Sequence, residues 1–90
     1  MKIDVFDTYA RHPEHGLLHF DVLLPEGGTQ SEAEASALAW LEEIGIQPSS
    51  IRVDHCNYCH SEIAIAEMES TLNMKGYAIL QLEGCPAPAC

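Results

Sequence analysis

Two cysteines and two histidines are concentrated in one short segment of the sequence, residues 55–60, which reads His-Cys-Asn-Tyr-Cys-His. A Cys-x-x-Cys spacing is typical of two thiolates that bind one metal ion, or of two thiols that form a disulfide with each other. This is the one segment of the sequence whose residue types and spacing predict chemistry. Haem attachment, zinc binding and thiol redox chemistry are its three candidate activities.

Covalent haem attachment is compatible with the letters of the motif, because Cys56-x-x-Cys59-His60 matches the haem-binding pattern. Such proteins are exported, however, and this N-terminus places Asp4 and Asp7 where a signal peptide has an unbroken apolar stretch. We therefore expect a cytoplasmic protein with reduced thiols, and haem attachment is disfavoured.

A zinc site is our preferred interpretation of the segment. Zinc binds four nitrogen or sulfur ligands in a tetrahedron, and the segment supplies two thiolates and an imidazole. No second Cys-x-x-Cys or His pair follows, so a fourth ligand has to come from elsewhere in the chain. The candidate ligands are Cys56, Cys59, His60 or His55, His19 and Cys85. The predicted function is a small zinc-binding or interaction module.

Two alternatives remain open. Cys56 and Cys59 could form a thiol redox pair, since a strand is predicted before them and a helix after them. Against this, the predicted helix begins several residues too late for Cys56 to lie on its first turn. The other alternative is a partner-binding domain in which the cysteines only pack, because cysteine is among the residue types most often buried.

Composition limits the classes of partner. Ninety residues form one domain, and a 47% hydrophobic content predicts a packed core. The formal charge of −10 excludes nucleic acid and disfavours an anionic membrane surface. No apolar run approaches the roughly 20 residues of a membrane-spanning helix. We expect a monomer or a weak homodimer.

No complete catalytic set accompanies the cysteine segment. Gly27-Gly28 lacks the Lys-Ser/Thr of a phosphate-binding loop, and no nucleophile, base and orienting residue are recognisable as a group. We therefore expect a binding module rather than an enzyme.

Periodicity predicts six elements in the order β-β-α-β-α-β. Strands are expected near residues 3–9, 17–24, 51–54 and 77–82, and helices from a cap at residues 29–31 to Ile44 and over residues 66–75. Residues 1–84 then form a single domain, followed by a tail, residues 85–90, that contains Pro and Cys.

This element order predicts an α/β protein of the two-layer α+β type, with a four-stranded mixed sheet and two helices on one face. The residues expected under the helices are Ile3, Val5, Leu18, Phe20, Val22, Ile51, Val53, Leu80 and Leu82. The opposite face is expected to be solvated, with Asp4, Phe6, His19, Asp21, Arg52, Asp54 and Tyr77. A single core is expected to bury Leu18, Phe20, Val22, Leu38, Leu41, Val53, Leu72 and Leu80.

Several short motifs recur in a fixed order along the chain: Phe6-Asp7-Thr8-Tyr9, His19-Phe20-Asp21-Val22, Trp40-Leu41, Ile44-Gly45, Cys56-x-x-Cys59-His60-Ser61, Gly76-Tyr77 and Glu83-Gly84-Cys85. Together they resemble the small bacterial proteins of Domain of Unknown Function 2024, over residues 1–85. The resemblance implies a small α/β fold and supplies no activity.

The motif positions that match the family make His19, Cys56, Cys59, His60 and Cys85 the best candidates for a shared site. The chain departs from the family on either side of the first cysteine. Family members often have an acidic residue before it and a basic residue after it, where this chain has histidine and asparagine. This difference changes the charge around the thiols.

Overall fold

A computed structural model of the chain describes residues 1–14, 16–47 and 51–83, and it describes the backbone alone for residues 54, 55, 82 and 83. The elements are β1 (Lys2–His12), β2 (Gly16–Pro25), α1 (Gln30–Glu43), β3 (Arg52–Ile63), α2 (Ala66–Lys75) and β4 (Ala78–Glu83). The element order agrees with the prediction from sequence. The tail at residues 85–90 and its Cys85 lie outside the described residues. No helix in the described ranges has the length and apolarity to cross a membrane.

The strands form one antiparallel sheet in the order β3-β1-β2-β4. The α+β class is confirmed, and the predicted mixed sheet is wrong. The crossover through α1 does connect two strands of the same direction, since β2 and β3 are both antiparallel to β1. However, β1 lies between them, so these two strands share no hydrogen bonds.

The two helices pack on opposite faces of the sheet, and the prediction that they share one face is wrong. Because successive strand residues point to opposite faces, β1 and β2 each have two sides. The α1 face carries Phe6, Ala10, Leu18, Phe20, Val22 and Leu24, which pack with Ala33, Ala37, Trp40 and Leu41 of α1. The α2 face carries Ile3, Val5 and Leu23, which pack with Leu72 and Met68 of α2.

The predicted single core is therefore two cores separated by the sheet. Leu18, Phe20, Val22 and Leu41 are buried in the α1 core, and Leu72 is buried in the α2 core. Two other members of the predicted set, Leu38 and Val53, are half-buried. Leu80 is 38% exposed, because its place opposite Asp21 on β2 puts it on the α2 face next to a polar pair.

Local sequence determines the helix ends. The Thr29 side chain accepts a hydrogen bond from the Glu32 amide, and the Glu32 carboxylate accepts one from the Thr29 amide. The N-cap residue of this capping box, Thr29, lies within residues 29–31, where the cap is predicted. Helix α2 ends at Gly76, whose φ of 84° is a left-handed conformation that glycine adopts without a Cβ clash.

Strand β3 is much longer than the predicted strand at residues 51–54, and it contains the whole cysteine segment. Its pairing with β1 shifts register between Val5 and Phe6 and again between Tyr9 and Ala10. At the first shift Cys59 is the extra residue, because Val5 pairs with His60 and Phe6 with Tyr58. A bulge of this kind reverses which face the following residues occupy.

Asp4 is a buried carboxylate that joins three parts of the fold. It accepts hydrogen bonds from the Ser61 hydroxyl at 2.7 Å and from the Gly27 amide at 2.9 Å. These two bonds favour the ionised form, so the pKa of Asp4 lies below its ordinary value. The carboxylate thus links β1 to β3 and to the turn after β2.

Candidate metal centre

The sheet divides the Cys-x-x-Cys-His motif between its two faces. Cys56 lies opposite Thr8 on the α1 face, where it is buried in the core. The bulge at Cys59 reverses the alternation, so His60 lies opposite Val5 on the α2 face. The structure therefore does not bring Cys56 and His60 together.

The two cysteines are also separated along the strand. In extended backbone, residues three positions apart have Cα atoms roughly 9–10 Å from each other, whereas a disulfide needs less than about 7 Å. Cys59 is exposed and Cys56 is buried, and both are free thiols. The motif predicts that the two thiols converge, and in this strand they do not.

The environment of Cys56 is that of a packed side chain. Burial raises the pKa of its thiol above the ordinary value, and this outweighs the hydrogen bond that the Thr8 hydroxyl donates to its sulfur at 3.4 Å. A reactive cysteine has the opposite property, a lowered pKa with solvent access.

A different set of ligating residues meets on the α2 face. The apolar pairs under α2 end with Val5 and Leu23, and the next pair on that face is Asp7 on β1 opposite Asp21 on β2. The pair after it is Tyr9 opposite His19. Because residues on one face are two positions apart along each strand, Asp7, His19 and Asp21 become neighbours.

These three side chains converge to within ligand distance of one another. One nitrogen or oxygen of each lies within 4.8 Å of the others, and all three residues are half-buried. His19 Nε2 is 2.6 Å from an Asp7 carboxylate oxygen, a hydrogen bond that orients the imidazole ring. Tyr9 stacks on that ring with the centroids 4.1 Å apart and the planes 8° apart, so the imidazole is held from two directions.

The site carries an excess of negative charge. Burial raises the pKa of Asp21 above its ordinary value, the nearby Asp7 carboxylate raises it further, and the charge of His19 opposes the shift. A divalent cation would neutralise the two carboxylates. One imidazole and two carboxylates are ligands for Zn²⁺, Mn²⁺ and Fe²⁺, and three protein ligands leave a coordination position open.

The structure places the sequence-predicted ligands in four different environments. His19 is in the cluster. His60 is exposed on the same face of the sheet and lies 3.3 Å from Glu62. Cys56 is buried in the α1 core, and Cys59 is exposed. The side chain of His55, and all of Cys85, lie outside the described residues, so their role as ligands stays a prediction.

The sequence did not single out Asp7 and Asp21 as candidate ligands. The sequence pattern that could have indicated them is the position of polar residues in the two strands. His19 and Asp21 lie on one side of β2, and Asp7 interrupts the apolar pattern of β1. Their meeting depends on the β1–β2 register, which pairs Asp7 directly with Asp21.

Fold and site together define a small α+β domain with an antiparallel sheet, one helix on each face, and a histidine–aspartate cluster on the α2 face. The chain belongs to the family described as Domain of unknown function (DUF2024), whose model matches residues 1–82. It is also similar to the NMR structure of protein NE1680 from Nitrosomonas europaea, with 32% identity and a TM-score of 0.74 over 94% of this chain and 99% of that chain. Among curated proteins, none matches the chain.

Proposed function

We propose that this protein is a small metal-binding domain that binds one divalent transition metal ion, with zinc as the first candidate, through Asp7, His19 and Asp21. The observation that carries the proposal is the convergence of one ligand atom from each residue within 4.8 Å. This replaces the thiol-centred ligand set with a set of two carboxylates and one imidazole, and it retains His19 from the sequence prediction.

The surroundings of the three residues support a binding site over a simple ion pair. A His19–Asp7 pair alone would need no second carboxylate, yet Asp21 lies opposite Asp7 and its ionisation is opposed by that neighbour. Two carboxylates held this close together are stabilised when a cation binds between them. Metal binding is therefore the function that this arrangement favours.

The thiol redox alternative has less support from the geometry. The two sulfurs belong to residues three positions apart in a strand, and the pKa of the Cys56 thiol is raised. Cys59 and Cys85 remain candidate zinc ligands that the experiment below can distinguish from the cluster.

The test is isothermal titration of Zn²⁺ into protein that was purified without a metal-binding tag and treated with a chelator. We expect one equivalent to bind to the wild type. Removal of even an outer-shell partner of a metal ligand costs about 10–100-fold in affinity, so His19→Gln and Asp21→Asn should each cost at least as much. Binding should weaken as the pH falls, because neutral imidazole and ionised carboxylates are the ligands.

Two kinds of control identify the site. His60→Gln changes another histidine of the same face and should leave zinc affinity unchanged. Cys59→Ser and Cys85→Ser test the thiol ligands and should also have no effect. If a cysteine variant loses zinc while His19→Gln retains it, the cluster is not the site. If the wild type binds no zinc, manganese or iron(II), the proposal fails.

A further inference from the structure

A groove lies between α2 and strands β2 and β4. It has a volume of about 280 Å³, and its apolar lining includes Leu23, Ile65, Met68, Ala78 and Leu80. Two of these side chains are large hydrophobic groups that the fold leaves exposed, Ile65 at 59% and Leu80 at 38%. Small-molecule pockets typically measure about 300–1,000 Å³, so a groove of this size fits a short hydrocarbon chain.

The charge at the groove is negative. Among the described residues that line it, Glu67 in the first turn of α2 carries the only charge. Within the described part of the chain, its carboxylate has no hydrogen-bond or ion-pair partner. Asp21 adds a second carboxylate nearby, because it lies opposite Leu80. With fourteen Asp and Glu residues against four Lys and Arg in the chain, the field around the groove attracts cations and repels anions.

From this combination we propose that the groove binds a small aliphatic amine, with its hydrocarbon chain on the apolar lining and its ammonium group at Glu67. Each methylene removed from water contributes about 0.8 kcal/mol, which is about fourfold in affinity. An ion pair with an exposed carboxylate adds a smaller factor, about two- to fivefold. The chain of the ligand thus supplies most of the affinity, and the charge of its ammonium group supplies the selection against anions.

The groove and the metal cluster are neighbouring but separate sites. Leu80 of the groove pairs with Asp21 of the cluster, but none of the three proposed metal ligands is among the described residues that line the groove. The amine proposal therefore does not rest on metal binding, and each proposal can fail while the other holds.

The experiment is a titration of n-hexylammonium followed in the amide NMR spectrum of the ¹⁵N-labelled, metal-free protein. We expect saturable shifts that are largest at residues 23, 65, 67, 68 and 80. From propyl- to hexylammonium, affinity should rise by up to about fourfold per methylene. The uncharged 1-hexanol should bind about two- to fivefold more weakly than hexylammonium, and hexanoate should bind more weakly still because the acidic surface repels it.

Two variants test the lining, and each has a matched control. Ile65 is the N-cap residue of α2 and makes no side-chain cap hydrogen bond. Ile65→Ser therefore removes apolar surface at a position where serine favours the helix, and it should weaken hexylammonium binding by about fourfold or more. Ile63→Ser, the same change at an exposed residue outside the described lining, should leave affinity unchanged. Glu67→Gln should weaken binding by about two- to fivefold, whereas Glu42→Gln, on helix α1 across the sheet, should have no effect.

Several outcomes would overturn the proposal. Equal losses in Glu67→Gln and Glu42→Gln would show an unspecific charge effect, and equal losses in the two serine variants would remove Ile65 from the site. Propylammonium that binds as tightly as hexylammonium would contradict the placement of the chain in the groove, and hexanol or hexanoate that binds as tightly would contradict the assignment to an amine. Shifts that are largest at residues 7, 19 and 21 would place the ammonium group at the metal cluster instead, and the absence of saturable shifts at millimolar hexylammonium would exclude the site. The dispersion of the same spectrum shows whether each variant is folded.

Discussion

Replacing Asp21 with asparagine should stabilise the metal-free protein. The carboxylates of Asp7 and Asp21 lie no more than 4.8 Å apart. Two unit charges at that distance repel by about 0.9 kcal/mol in water and about 3.5 kcal/mol at an effective dielectric constant of 20. Because both side chains are half-buried and in contact with solvent, the smaller value is the better guide. We expect Asp21→Asn to raise the free energy of unfolding by about 1 kcal/mol at neutral pH.

The pH dependence of this gain has a definite sign. The pKa of Asp21 is raised in the folded state, so its ionisation destabilises the fold once the pH exceeds the pKa of the unfolded chain, about 3.9. The gain from Asp21→Asn should therefore be present at neutral pH and disappear as the pH falls below that value, where the wild-type carboxyl is protonated in both states.

Chemical denaturation of chelator-treated protein measures the effect directly, and for a domain of this size about 1 kcal/mol corresponds to a rise of about 4–8 °C in the melting temperature. Asp4→Asn, on the neighbouring strand β1, is the matched control. The pKa of Asp4 is lowered by the Ser61 and Gly27 hydrogen bonds, so its loss should destabilise the fold. An Asp21→Asn variant that is less stable than the wild type at neutral pH would refute the repulsion.

Added zinc should reverse the order of stability between wild type and Asp21→Asn. A ligand at 100 times its dissociation constant stabilises a protein by about 2.7 kcal/mol, which exceeds the gain of the variant. The same melts repeated with saturating zinc therefore link stability to the proposed function. If zinc raises the melting temperature of both proteins equally, Asp21 is not a ligand.

Three further predictions concern the two cores, the buried carboxylate and the thiols. Leu41→Ala and Leu72→Ala should each cost about 2–5 kcal/mol in unfolding free energy, and their effects should add in the double variant because the sheet separates them; a loss well under about 1 kcal/mol for either would contradict its placement. The contribution of the Asp4 carboxylate to the free energy of unfolding should be complete above pH about 3.9 and be lost as the pH falls through the lower pKa that Asp4 has in the folded state. The stability difference between wild type and Asp4→Asn should therefore shrink in acid. A difference that stays constant with pH would contradict the ionic hydrogen bonds. Iodoacetamide should modify Cys59 in the native protein while Cys56 reacts only after unfolding, as peptide mass spectrometry can measure; rapid modification of both would contradict the burial of Cys56.

The local elements of this protein follow from its sequence. Alternating apolar residues in β2, the Thr29–Glu32 capping box and the glycine after α2 depend on interactions within a few residues, so they are predictable from the chain alone. The element order and the family resemblance follow from the sequence as well. So does the prediction of His19 as a site residue, because its strand and its polar face are local properties.

Tertiary structure determined which helix covers each face of the sheet and which residues form the candidate site. Ile3, Val5 and Phe6 make β1 apolar on both sides, and only the path of the chain determines which helix covers which side. Similarly, a single extra residue in β3, Cys59, separates Cys56 from His60 by reversing the alternation between faces. Asp7 and Asp21 meet because of one register between two strands. Pairing register and bulges are properties of two chain segments together, which is why neither segment's sequence predicts them by itself.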